Sequence, residues 1–111
     1  MASADAYLDA RAEFERHNEQ VVALARMLSQ AARALAQRPG HFSFTNCPVS
    51  LPAQASAEPF AVGMDANDWR SPQQIHELLA QWHEARSAMI TAWQGLPQHW
   101  RRGVQPPPTI M

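Results

Sequence analysis

The placement of proline constrains this chain more than any other feature. Nine prolines occur in 111 residues, yet none falls between residues 1 and 38 or between 73 and 96. An interior proline costs a helix about 3 kcal/mol, so both windows are free to form long uninterrupted helices. The first window has a seven-residue period. Tyr7, Phe14, Val21, Leu28 and Leu35 repeat along it, with Ala10, His17, Leu24 and Ala31 three residues further on. Large and small residues alternate on this seam, and the small ones allow a partner helix to approach closely. Charge agrees with one continuous helix over about 4–38. Asp5, Asp9, Glu13, Glu15 and Glu19 lie in its first half, and Arg26, Arg33 and Arg38 in its second. Pro39-Gly40 then stops it.

The second helix is expected over about 72–95. Ser71-Pro72-Gln73-Gln74 supplies a capping serine, a proline at the first helical position and a glutamine three residues after the cap. Ile75, Trp82, Met89 and Leu96 then repeat every seven residues, with Leu78, Ala85 and Ala92 as companions. Gly95-Leu96-Pro97 interrupts the pattern. A short helical turn over about 97–102 follows, and the tail 104–111, with Pro106-Pro107-Pro108, is expected to be extended. Between the helices lies a proline-punctuated insertion, about 39–70. There His41–Thr45 and Pro59–Met64 have strand-like composition and would pair as a short β-hairpin.

The fold class expected is therefore mainly α: two long antiparallel helices, a helical hairpin joined by a Pro-rich loop, in a single domain 1–111. Two helices cannot enclose Tyr7, Phe14, Trp82 and Trp93 from every side. At roughly 25 cal/mol per Å², leaving them open would forfeit several kcal/mol. The middle segment could cover one side with Phe42, Phe44 and Phe60, but the preferred remedy is a homodimer that completes a four-helix bundle, with Tyr7, Phe14, Val21, Leu28, Leu35, Ile75, Trp82 and Met89 as the self-association positions.

Composition removes several functions. No apolar run reaches the roughly 18 residues of a membrane span. Residues 1–6 show no charged-then-apolar leader, which together with the lone Cys47 points to a cytoplasmic protein. The nine basic residues are all Arg, with twenty Ala, as in products of GC-rich genomes. Net charge is −1, so direct nucleic-acid binding is disfavoured, because such binding rests on phosphate neutralisation. No phosphate loop or nucleophile motif is present, so an enzyme of familiar design is not expected.

Among chemical candidates, His76 and His83 are one heptad apart, about 10 Å along a helix, too far to share one metal ion within a chain. Glu13 and His17 are one turn apart, but the Glu-x-x-His pattern of di-iron bundles is absent. These four are the only metal candidates, and no metal or other cofactor is expected. Cys47 reads as an inert loop thiol. The carboxy-terminal section differs. Trp93, Trp100, Arg101 and Arg102 lie within ten residues, and Trp and Arg dominate binding hot spots. The expectation is a non-catalytic assembly, adaptor or accessory protein whose protein partner docks at this end. The alternatives are a small-ligand or metal-dependent protein using the histidines and middle loop, and a regulatory factor that reaches nucleic acid through a partner.

Overall fold

The computed structural model describes residues 4–49, 51 and 62–108. Helix α1 spans Ala4–Gln37 and α2 spans Pro72–Gln94. Strands β1, Phe42–Thr45, and β2, Val62–Asp65, lie between them, and the short helix α3, Gln98–Arg101, follows. The fold is mainly helical, and the helix limits fall within about a residue of those read from the sequence. No helix among the described residues is long and apolar enough to cross a membrane.

The start of α2 is the capping box that its residues encode. The Gln74 amide donates to Ser71 Oγ at 3.2 Å, and the Ser71 amide donates to Gln74 Oε1 at 2.8 Å. Two otherwise orphaned amide donors are thus satisfied reciprocally. Helix α1 ends as Arg38 N–H reaches Ala34 C=O at 2.8 Å and Pro39–His41 tightens into a 3-10 turn.

The chain divides into two compact units, Met1–Val22 with His76–Met111, and Ala23–Ile75. In the first, α1 and α2 run antiparallel. Tyr7 meets Trp93, ring centroids 5.1 Å apart, and Phe14 meets Trp82 at 5.5 Å. Tyr7, Phe14, Ala85, Met89 and Leu96 form the buried core, and Ala10, Trp82, Ile90, Ala92, Trp93 and Val104 pack against it. The Trp82 indole N–H donates to Asn18 Oδ1 at 3.0 Å, which satisfies the one polar atom that a half-buried Trp brings into an apolar seam. The Tyr7 hydroxyl donates to the Gln105 carbonyl at 2.7 Å. Burial pushes that hydroxyl above its ordinary pKa of 10.0, although Arg11 opposes the shift. It therefore stays a donor at neutral pH, and it ties Gln105 to α1.

In the second unit, Ala31 and Phe42 are buried. Phe42, Phe44 and Trp69 stack edge to face in series, with centroids 5.0 and 5.5 Å apart. β1 and β2 pair in parallel, Phe42 beside Val62 and Thr45 beside Asp65. This corrects the expected β-hairpin. A hairpin turn reverses the chain in two to five residues, whereas residues 46–61 separate these strands, enough for the crossover that a parallel pair needs. Most of the second expected strand, Pro59–Ala61, lies outside the described residues. Asp65 ends β2 and caps the next turn. It accepts from the Asn67 amide at 2.9 Å and from Asn46 Nδ2 at 3.0 Å, and these bonds hold its carboxyl below the ordinary 3.8. Asn46 itself takes a left-handed backbone, φ 57°, a conformation Asn tolerates better than most residues.

Candidate interaction surface at the carboxy-terminal end

Helix α2 ends where Gly95 N–H bonds to Thr91 C=O and Leu96 N–H to Trp93 C=O, at 3.0 and 3.1 Å. Leu96 drops into the core and Pro97 starts a new turn, with the Trp100 and Arg101 amides both reaching the Pro97 carbonyl. The last carbonyls of a helix have no intrahelical partner. Arg101 supplies one: its Nη2 donates to Gln94 C=O at 2.9 Å and its Nε to Leu96 C=O at 3.1 Å. The same guanidinium lies 5.6 Å from the Trp93 ring centroid, in cation–π range. Arg101 is thus a clamp that fixes α3 on the end of α2.

The four residues expected to bind a partner therefore separate into two pairs. Trp93 and Arg101 are occupied within the chain, Trp93 half-buried against Tyr7 and Arg101 on the α2 carbonyls. Trp100 and Arg102 face outward. Trp100 is 44% exposed, with the His99 ring edge-on to it at 6.0 Å, and both His99 and Arg102 are exposed. An indole is held open on a turn whose backbone is braced by Arg101 and by the buried Leu96. Sequence reading missed the clamp because nothing in an Arg-Arg pair says which guanidinium turns back on the helix.

The other candidates take different places. Of the expected self-association positions, Tyr7, Phe14 and Met89 are enclosed within one chain. Their burial needs no second copy, because α1, α2 and the tail segment around Val104 close over them. Val21, Leu28, Ile75 and Trp82 are half-buried, and Leu35 is 52% exposed. His76 and His83 are exposed on α2, His83 edge-on to Trp82 at 4.9 Å. Among the described residues no three His, Cys, Asp or Glu side chains converge. Cys47 is an exposed free thiol.

Glu13 and His17 do meet, with Nε2 3.1 Å from Oε1. Arg16 also contacts that carboxylate, and its hydrogen bond holds the Glu13 carboxyl below the ordinary 4.5. His17 Nε2 also lies 3.2 Å from Arg16 Nη2, so it donates to the carboxylate in one tautomer and accepts from the guanidinium in the other. His17 is nonetheless buried, and its Nδ1 has no hydrogen-bond partner. A buried polar atom left unpaired costs about 1–3 kcal/mol. His17→Leu, which fills the same seam position without that atom, should raise stability by about 1 kcal/mol. Urea denaturation followed by circular dichroism measures this, and a clear loss of stability would mean that the imidazole contributes more than its Glu13 contact. No protein-family model matches the chain, and no curated protein or solved structure matches it.

Proposed function

We propose that this chain is a non-catalytic interaction protein, an assembly, adaptor or accessory subunit that binds another protein through Trp100 and Arg102 and also self-associates. One observation carries the reading: an indole is 44% exposed on a turn that Arg101 ties to the end of α2 beside the buried Leu96. A large amphipathic side chain carried on a braced backbone costs less to order when a partner covers it than one on a free loop. Arg102 beside it adds a charged donor, and the tail pinned by Tyr7 frames the same end of the first unit. This pairing of residue types is what hot spots are built from. The cytoplasm is the proposed location, in keeping with a lone exposed thiol.

The test is affinity capture from the source lysate with wild type, Trp100→Ala and Arg102→Ala chains, each first shown to keep its helical circular dichroism. A specific protein captured by wild type should weaken at least about tenfold with Trp100→Ala, as hot-spot truncations do. Equal capture by all three chains would move the docking surface elsewhere.

A further inference from the structure

Trp100 and Arg102 present donors that have no acceptors. An indole carries one N–H and a guanidinium several, and neither side chain accepts a hydrogen bond. The Trp82 indole gives its N–H to Asn18, and Arg101 turns its guanidinium onto the carbonyls that end α2. The side chains of Trp100 and Arg102 make no such bond among the described residues, and both are exposed. Charge is skewed in the same place. From Ala85 to the end of the sequence the ionisable side chains are Arg86, His99, Arg101 and Arg102, and none is acidic. On α1, Asp5 and Asp9 each lie about 160° around the helix from Tyr7, whose ring meets Trp93, so both sit on the side away from α2. Glu84, the last acid of α2, precedes Trp93 by about 14 Å of helix rise. The described ion pairs are those of Arg11, Arg16 and His17, and no described carboxylate reaches Arg102.

We propose that the protein segment docking here is acidic, with an Asp or Glu side chain set beside a large apolar one. The proposal rests on the docking surface assigned above and gives its partner a chemistry. A carboxylate only accepts, so it matches donors that have nothing to bond. A guanidinium holds a carboxylate through two parallel N–H bonds, which fixes the acid in place beside the indole. The apolar neighbour covers the Trp100 ring, 44% of which the chain leaves open. A basic segment would meet Arg101 and Arg102 with no acid to receive it. A nucleic-acid strand is the poorer match, because its affinity rests on neutralising several phosphates and one free guanidinium neutralises one.

The probe is a displayed library of random dodecapeptides, panned on the full-length chain. It should yield peptides enriched in Asp and Glu next to Phe, Trp, Leu or Ile. A selected peptide, synthesised and titrated by fluorescence anisotropy, should bind Trp100→Ala at least about tenfold more weakly than wild type. Arg102→Glu should weaken it at least about fivefold, because an attraction is replaced by a repulsion. Raising NaCl from about 50 mM to about 500 mM should weaken the wild-type complex as well. Both variants are first shown to keep their helical circular dichroism. Trp100-dependent peptides with no excess of acid, or peptides that bind Arg102→Glu as tightly as wild type, overturn the acidic partner and leave the docking surface standing. A labelled dodecathymidylate that binds more tightly than every selected peptide overturns it in favour of single-stranded nucleic acid. A library that yields no Trp100-dependent binder overturns the docking surface too.

Discussion

Phe14→Ala should cost about 3–5 kcal/mol, a large part of the roughly 5–15 kcal/mol that holds a domain of this size. The ring is fully buried and packs at 5.5 Å against Trp82. Removing it deletes apolar contact and leaves a cavity between two helices that cannot collapse freely. Trp82 is held by the bond to Asn18 and has His83 edge-on to it, so the indole is not free to swing into the gap. Urea denaturation followed by circular dichroism measures the loss. Leu8→Ala is the control: Leu8 is 45% exposed on the same helix and should change stability by less than about 0.5 kcal/mol. A Phe14→Ala loss under about 1 kcal/mol would mean that the two helices are not packed through this ring.

Tyr7 should separate into two contributions. Tyr7→Ala removes a fully buried ring that packs on Trp93 and should cost about 3–5 kcal/mol. Tyr7→Phe keeps the ring and deletes only the hydroxyl that donates to Gln105 C=O, so it should cost about 1 kcal/mol. The second variant tests the tail rather than the core. With the bond gone, the heteronuclear NOE of the Val104 and Gln105 amides should fall while those of α1 and α2 hold. Unchanged values would show that Val104, which packs on the core, anchors the tail without the hydroxyl.

Much of the helical frame was legible because it depends on local chemistry. The proline-free windows, the seven-residue seam and Ser71-Pro72-Gln73-Gln74 each act within a few residues, so α1 and α2 appear where those residues place them. The seam also named the core of the first unit, since Tyr7, Phe14, Ala85, Met89 and Leu96 all lie on it. At the other end of α1 it did not name a core of the single chain. Leu35 continues the period yet stays exposed, because a repeat shows which residues share a face and not how far along the helix the covering chain extends.

The candidate site was legible only as a composition. A Trp- and Arg-rich end could be read directly, but Arg101 and Arg102 are adjacent and chemically identical, and the end of α2 decides which one is taken as a clamp. The strands show the same limit: their residues favour extended backbone in either pairing, and residues 46–61 are long enough for either direction, so the parallel pairing was not legible. His17 was recognisable as a polar group in an apolar seam, while its contact with Glu13 and its unpaired Nδ1 depend on how closely the neighbouring side chains enclose it. For this protein, then, the residue order by itself determined helix limits, caps and the seam, since those follow from interactions a turn or two long. Tertiary structure alone decided which indole and guanidinium stay open and which strand direction prevails. Those outcomes turn on contacts between residues far apart in the chain, such as Tyr7 with Gln105, whose free energy depends on what encloses them rather than on their neighbours in sequence.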